Sequence, residues 1–308
     1  MTKAVFIDGE AGTTGLGIRE RLAGVPDVRV LSIDPARRKD PAARRAMMQE
    51  ADLVVLCLPD DAARESAALA GSLGSEAPKL LDASTAHRVD PGWAYGFPEL
   101  DAHQAERIAG AQHVSNPGCY PTGAIALLRP LVAAGLLPTD YPVTVNAVSG
   151  YSGGGRSMIE AHEATGGPAF ELYALSLEHK HVPELQRYTG LTRRPIFVPS
   201  VAHTRQGMLV SIPLHLETLP GQPGVDRLQA ALAEWYKDAA AIRVVPAEPG
   251  GKIELSALND TDAMELRVFG HPGHGHAVLV ARLDNLGKGA SGAAVQCMRL
   301  MLGLDHAV

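Results

Sequence analysis

The sequence predicts an α/β fold in two parts: a parallel-sheet domain at the amino end, then an α+β domain with a mixed or antiparallel sheet. Three observations carry this. Short continuous apolar runs alternate with helix-patterned segments as far as Val114, the pattern of strands buried on both faces. A glycine-spaced loop separates the first run from the first helix. Beyond Cys119, Val143 to Val148 alternates in polarity as half-buried strands do, and Gly207 to Leu216 reads as an antiparallel strand.

The chain has 308 residues, room for two domains, and is 46% hydrophobic and 20% charged. A net charge of −6 excludes a general basic footprint for nucleic acid. No stretch is apolar for long enough to span a membrane as a helix, and Met1-Thr2-Lys3 runs straight into a strand-like segment, without the apolar core of a signal peptide. Three cysteines, Cys57, Cys119 and Cys297, are too scattered for a disulfide framework or a cysteine-based zinc site. The expected compartment is the cytoplasm.

In chain order, Ala4 to Asp8 reads as a buried parallel strand. Gly9-Glu10-Ala11-Gly12-Thr13-Thr14-Gly15 follows, and Ile18 and Leu22 share a helix face. Strand, glycine loop, helix is the order a dinucleotide pyrophosphate needs, because glycines admit the backbone and the helix start supplies N–H donors. The spacing is GxxGxxG. A second strand, Val28 to Ile33, ends at Asp34-Pro35-Ala36-Arg37-Arg38-Lys39. An acid there would bind the ribose hydroxyl of NAD, and an arginine the 2′-phosphate of NADP. Arg37, Arg38 and Lys39 favour NADP, with Ser32 as an added hydroxyl; a solvated basic loop is the alternative.

Leu53 to Pro59 is a further buried strand. It is followed by an alanine-rich helix from Asp60, read as its N-cap, to about Leu73. Cys57 is read as a core or crevice residue. Lys79 to Ser84 is the next strand, and the loop Ser84-Thr85-Ala86-His87-Arg88 leaves its carboxyl end, where ligands bind in parallel sheets. Arg88 is there either to hold an anion or to form a surface salt bridge.

Ser115-Asn116-Pro117-Gly118-Cys119-Tyr120-Pro121-Thr122-Gly123 sets a cysteine on a tight turn just before a helix carrying Ile125, Leu128, Leu131 and Val132. Unpaired N–H groups at a helix start favour a thiolate and can hold an oxyanion. An inert buried cysteine is the alternative, but it would need no such presentation.

Ser149 to Arg156 reads as a flexible polar loop suited to a small anion, or as a bare linker. Glu178-His179-Lys180-His181-Val182-Pro183-Glu184 offers an imidazole base for the thiol and, in Glu184, a partner to orient it. Gly207 to Leu216 is an antiparallel strand and Val225 to about Ala240 an amphipathic helix. Met264 to Phe269 and Ala277 to Leu283 form a hairpin. Its turn holds His271, His274 and His276, read as a solvated loop and not a metal site because no carboxylate accompanies them. Asp284 to Gln296 is a second glycine-rich loop, opening a helix with Val295, Met298 and Leu302.

Together these segments resemble the N-acetyl-γ-glutamyl-phosphate reductase family in its shorter form, within the semialdehyde-dehydrogenase-like superfamily. The motifs are Gly9–Gly15 with the following Leu-x-Ile-Arg, SNPGCYPT at 115–122, Ser149–Arg156, HKHVPE at 179–184 and DNLGKGASGAAVQ at 284–296. The resemblance implies a Rossmann domain over 1–117 with 287–308 and a catalytic and dimerisation domain over 118–286. It also implies NADPH as cofactor, a small acyl phosphate as substrate with inorganic phosphate released, a homo-oligomer (dimer or tetramer) and a role in arginine biosynthesis. By position, Cys119 would be the nucleophile, His181 the acid/base and Glu184 its orienting group. Arg88, Asn116, Ser149, Arg156 and His179 would contact substrate. Gly9, Gly12, Thr13, Thr14, Gly15, Arg37, Arg38, Ser84, Asn285, Lys288 and Gly289 would contact cofactor. The chain departs from longer members at Ser84–Arg88 and at His203-Thr204-Arg205-Gln206-Gly207, which leaves the substrate-carboxylate contacts unassigned. A reductase of carrier-bound aminoadipyl phosphate in lysine biosynthesis would use the same residues. A non-catalytic NADP-binding sensor would not need the Cys, His and Glu set.

Overall fold

The computed structural model describes residues 2–271 and 273–304. They divide into two compact units, one running to Pro117 and resuming at Ala290, the other spanning Gly118–Gly289.

The first unit begins with β1 (Lys3–Asp8), α1 (Thr13–Leu22), β2 (Val28–Leu31), α2 (Pro41–Glu50) and β3 (Leu53–Leu56). It continues with α3 (Asp60–Gly71), β4 (Lys79–Asp82), β5 (Ala94–Tyr95), α4 (Gln104–Gly110) and β6 (His113–Ser115). Among the described residues these strands make one six-stranded sheet, ordered β2-β1-β3-β4-β6-β5, with every pairing parallel. The apolar runs are continuous because both faces are covered. Val5, Ile7, Leu53 and Val55 face one core cluster, while Ala4, Phe6, Val54 and Leu56 face the other, as the period of two requires.

Details differ from the sequence reading: β3 ends at Leu56, short of Pro59, and β4 at Asp82, short of Ser84. The second strand stops at Leu31 instead of Ile33. Asp60 does not cap α3: Pro59 holds the cap position, and Asp60 is the first helical residue. Its carboxylate instead accepts from the Thr85 N–H at 2.9 Å and from the Thr85 hydroxyl, tying α3 to the loop after β4. A genuine cap lies at Asp40, whose Oδ1 accepts from the Ala42 N–H at 2.9 Å with Pro41 opening the helix.

The second unit holds α5 (Cys119–Ala133), β7 (Thr144–Gly150), α6 (Arg156–Thr165), β8 (Phe170–Leu172), α7 (Val182–Thr189), β9 (Ile196–Ala202) and β10 (Met208–His215). Then come α8 (Val225–Trp235), β11 (Ile242–Val244), β12 (Met264–His271) and β13 (His276–Leu283). Its described strands form one seven-stranded mixed sheet, ordered β11-β12-β13-β10-β7-β9-β8. The chain returns to the first unit in α9 (Gly292–Leu302), whose Met298 and Met301 join the core cluster of Val5 and Ile7.

Helix α5 is buried along most of its length and lies directly on the sheet. A Cβ at Gly123 would stand 2.9 Å from Val210 Cγ2 and 3.3 Å from Ala281 Cβ, so the glycine lets helix and strands approach. Pro130 inside α5 has no N–H for the Ala126 carbonyl. The Tyr236 hydroxyl donates to that carbonyl instead, at 2.9 Å.

Segment 149–156 is not the flexible loop that its glycines suggest. Ser149 and Gly150 end β7, Tyr151–Gly154 is a single 3-10 turn, and α6 starts at Arg156. Three backbone bonds fasten it to segment 204–207: Gly150 N to Gly207 O at 2.9 Å, Tyr151 N to Thr204 O at 2.9 Å and Ser152 N to Arg205 O at 3.0 Å. The helix expected to reach Ala240 ends at Trp235.

Candidate active site

In the second unit, Cys119 is the first residue of α5, with Gly118 in extended conformation at the cap position and no side chain capping the helix. The sequence placed the cysteine just before the helix; it is one residue inside, so its Sγ stands at the positive end of the dipole. The cap residue is held from a distance in sequence. The Gly118 N–H donates to Glu184 Oε2 at 3.1 Å. Glu184 lies in the first turn of α7 and is buried.

His181 caps α7, and its N–H donates to His179 Nδ1 at 3.1 Å. The two imidazole rings meet edge to face at 4.6 Å. Tyr120, next to the cysteine, lies 6.3 Å from the His179 ring and 5.9 Å from the His181 ring. Its hydroxyl is shared between Ser149 Oγ at 3.0 Å and the Ser200 carbonyl at 2.9 Å, and it accepts from the Tyr173 hydroxyl at 3.3 Å. Burial, then Tyr173 and the Cys119 charge, push the Tyr120 phenol above its ordinary value. Burial first, with Cys119 adding to it, pushes Tyr173 up to about 12. Both phenols therefore stay protonated at neutral pH.

Gly289 packs against the cysteine from the other side. A Cβ there would stand 3.1 Å from Cys119 Cβ and 3.0 Å from the Asp284 carbonyl. Lys288 beside it is buried. Asn285 uses both ends of its amide within the unit: Oδ1 accepts from the Gly207 N–H at 2.8 Å and Nδ2 donates to Ser152 Oγ at 2.9 Å. The structure thus gathers Cys119, Ser149, His179, His181, Glu184 and Gly289 around Tyr120 and the start of α5. Arg156 opens α6 as an exposed residue paired with Glu160 at 3.5 Å. Tyr120, Tyr173 and Ser200 were not singled out from the sequence. Tyr120 was next to a chosen residue, but nothing local distinguishes Tyr173 or Ser200.

In the first unit, Gly9 has φ +92, and a Cβ there would stand 2.3 Å from the Cys57 carbonyl; only glycine fits. The Gly12 N–H donates to the Gly9 carbonyl at 3.1 Å, and Gly12 caps α1 with no side chain in the cap. Thr13 and Thr14 form the first turn. A Cβ at Gly15 would stand 2.8 Å from the Gly9 carbonyl. The carboxylate of Asp8, at the end of β1, would repel an anion at this helix start. Arg44 Nη2 at 2.6 Å and Ser66 Oγ at 2.6 Å bind it.

Arg37 is exposed and paired with Asp40 at 3.0 Å, and Arg38 is exposed beside it. Ser32 Oγ accepts from Arg19 Nη1 at 2.7 Å. Arg19, which the sequence reading quoted only as the end of the Leu-x-Ile-Arg motif and gave no role, is a further cation in this region. Ser84 folds back on its own strand end, its Oγ donating to Asp82 Oδ2 at 2.8 Å. Arg88 is buried and donates through Nε to the Asn116 carbonyl at 3.0 Å. Asn116 Nδ2 donates to the Ala290 carbonyl at 3.1 Å, while its Oδ1 is buried without a partner among the described residues. Cys57 is inert, because burial first, then Asp82 and Asp8, push its thiol up to about 12.

Comparison with known proteins follows the same division. Residues 9–108 match the family described as semialdehyde dehydrogenase, NAD binding domain, and residues 119–285 match semialdehyde dehydrogenase, dimerisation domain. In fold, the chain is similar to aspartate semialdehyde dehydrogenase from Francisella tularensis (TM-score 0.75, 11% identity, 98% of this chain and 100% of that one). It is likewise similar to aspartate semialdehyde dehydrogenase II from Vibrio cholerae (TM-score 0.72, 15% identity, 98% and 99%). In sequence it is 53% identical to N-acetyl-gamma-glutamyl-phosphate reductase 2 of Pseudomonas putida, over 98% of this chain and 97% of that protein. It is 52% identical to N-acetyl-gamma-glutamyl-phosphate reductase of Rhizobium meliloti, over 98% and 99%. Identity at this level across both units settles the family: the chain belongs to the N-acetyl-γ-glutamyl-phosphate reductases, oxidoreductases with the semialdehyde dehydrogenase fold.

Proposed function

We propose that this chain reduces N-acetyl-γ-glutamyl phosphate to the 5-semialdehyde through a thioester on Cys119, releasing inorganic phosphate, in arginine biosynthesis. The observation that carries the reading is Cys119 at the uncapped start of α5, with Glu184 on its cap residue and a histidine pair beside Tyr120. The Cys119 thiolate attacks the acyl carbon, and the helix-start N–H groups hold the oxyanion until phosphate leaves. His181 gives a proton to the oxygen as the thioester carbon is reduced to a hemithioacetal, and takes it back as the hemithioacetal collapses, breaking the C–S bond to release the aldehyde and the Cys119 thiolate.

The first unit fits a dinucleotide. Its cap-free α1 start lies behind a glycine turn that no Cβ could enter, and Asn116 Oδ1 is an open buried acceptor in the same unit. Gly9, Gly12, Thr13, Thr14 and Gly15 would hold the pyrophosphate, with Arg37 and Arg38 near the 2′-phosphate. NADPH, when bound, supplies hydride to the thioester carbon.

A second copy of the chain is the expected partner, through the sheet of the second unit. Phe170, Leu172 and Val278 expose apolar side chains there, beside an apolar groove lined by Val148, Val198 and Val280. Sedimentation should give at least a dimer, and Phe170→Glu with Leu172→Glu should shift it to monomer; a monomeric wild type would reject this partner. The free thiols Cys57, Cys119 and Cys297 suit the cytoplasm.

The deciding experiment is the reverse reaction, with N-acetylglutamate semialdehyde, phosphate and NADP, followed as NADPH absorbance. Cys119→Ser should abolish it while NADPH still binds. Turnover at the wild-type rate in that variant would reject the assignment.

A further inference from the structure

The sequence reading discounted the histidines of the 271–276 turn because no carboxylate lay near them in the chain. The fold supplies one. In the register of β10 with β13, His215 is directly opposite His276, and their rings meet edge to face at 4.9 Å. Directly opposite residues share a face of the sheet. Glu217 follows His215 by two residues, in the 3-10 turn Leu216–Thr218, and its Oε1 lies 3.4 Å from His215 Nδ1. One ligand atom from each of His215, Glu217 and His276 falls within 4.8 Å of the others.

The group stands on ordered backbone. The Leu216 N–H donates to the Gly275 carbonyl at 2.7 Å, which pins the 3-10 turn to the hairpin. Tyr141 Oη accepts from the His215 N–H at 3.3 Å and from Thr218 Oγ1 at 3.4 Å. Gly275 has φ +61, and a Cβ there would stand 3.0 Å from Glu217 Oε2. The glycine therefore serves both the turn and the room for the carboxylate.

We propose that His215, Glu217 and His276 form a binding site for one divalent transition-metal ion of the Zn²⁺ type, clipping the ends of β10 and β13 to the turn after β10. Two imidazoles and a carboxylate are a ligand set for such ions; Mg²⁺ and Ca²⁺ take oxygen. Ligand atoms on a tetrahedral ion at about 2.0–2.2 Å sit roughly 3.3 Å apart. All three side chains are exposed, so small rotations bring them in from the present separation. The fourth position stays open to water, with the His274 ring 6.2 Å from that of His276.

The test uses the full chain without a histidine tag, stripped with chelator and titrated with Zn²⁺ by calorimetry. One ion per chain is expected, together with a rise in Tm when it is bound. His276→Ala and Glu217→Gln should each weaken binding by about tenfold or more, while His103→Ala, on α4's approach in the other unit, leaves it unchanged. Co²⁺ should give the visible bands of nitrogen and oxygen ligands, without thiolate charge transfer, and Cys119→Ser should bind as wild type. No binding by the wild type, loss of binding in Cys119→Ser, or full binding by His276→Ala overturns the site.

Discussion

If the proposed mechanism holds, Glu184 offers a way to separate holding the Cys119 turn from acting on the base. Its Oε2 accepts from the Gly118 N–H at 3.1 Å, and the side chain is buried. Glu184→Ala leaves that N–H without an acceptor in the interior, a loss of about 1–3 kcal/mol, and removes buried side-chain volume besides. A total of about 2–3 kcal/mol corresponds to a fall in Tm of roughly 4–12 °C for a unit of this size. Freed from its anchor, Cys119 can drift, and a misplacement of about 1 Å costs on the order of 10²-fold in rate. Glu184→Gln keeps an oxygen for Gly118 and removes only the charge, so its stability should stay within about 1 kcal/mol of wild type. If the charge also steadies His181 as imidazolium, kcat should still fall by about tenfold or more, with KM for NADP unchanged. Thermal unfolding by circular dichroism and the NADP-reduction assay read both quantities. A Glu184→Ala protein with the Tm and kcat of wild type would refute the argument, and full kcat in Glu184→Gln would limit Glu184 to the turn.

Two further outcomes follow from the same cluster. His181→Asn should lose far more kcat than KM, and an unchanged kcat would hand the base role to His179, whose Nδ1 it touches through the backbone. Iodoacetamide between about pH 7 and 9 should label Cys119, which is partly exposed, and spare the other two thiols. Cys57 has its pKa raised to about 12 and so stays as unreactive thiol throughout that range, while buried Cys297 donates Sγ–H to the Gly96 carbonyl at 3.2 Å. Peptide mapping that found Cys57 modified at an equal rate would contradict this.

What could be read from the sequence depended on whether the cause was local. The glycines at 9, 12 and 15 answer a local demand, a positive φ and a close approach within a few residues, so their spacing is visible in one dimension. The buried strands are visible for a similar reason: with helices on both faces, every residue of Leu53–Leu56 is apolar. Helix α6 had no such signature, since its one buried residue is His162, and β8 is exposed throughout. Asp60 was misread because a caps-first rule cannot see Thr85, 25 positions along, competing for the same carboxylate. Glu184 was chosen as a partner for His181, three residues away, yet its bond to Gly118 spans 66 positions. The histidine turn was dismissed for want of a carboxylate that only the β10–β13 register brings near.

The stretch from Asp284 onward shows why a glycine-rich segment need not be a loose one. Asp284 accepts from the Leu286 N–H at 2.9 Å, the Asp260 N–H at 2.8 Å and Gln206 Nε2 at 3.1 Å. Asn285 bonds Gly207 and Ser152 at once. A Cβ at Gly287 would stand 1.9 Å from the Thr261 carbonyl, and one at Gly289 would meet Cys119. These glycines are places where backbone is pressed against backbone or against Cys119. Within the second unit, then, the cysteine is braced from two directions: by Glu184 through the cap of α5 and by Gly289 against its Cβ. In the proposed mechanism, a thiolate that must meet one acyl carbon at a set angle gains more from that fixity than from an adaptable loop. Gly287 and Gly289 supply the fixity, by letting the chain come closer than any side chain would permit.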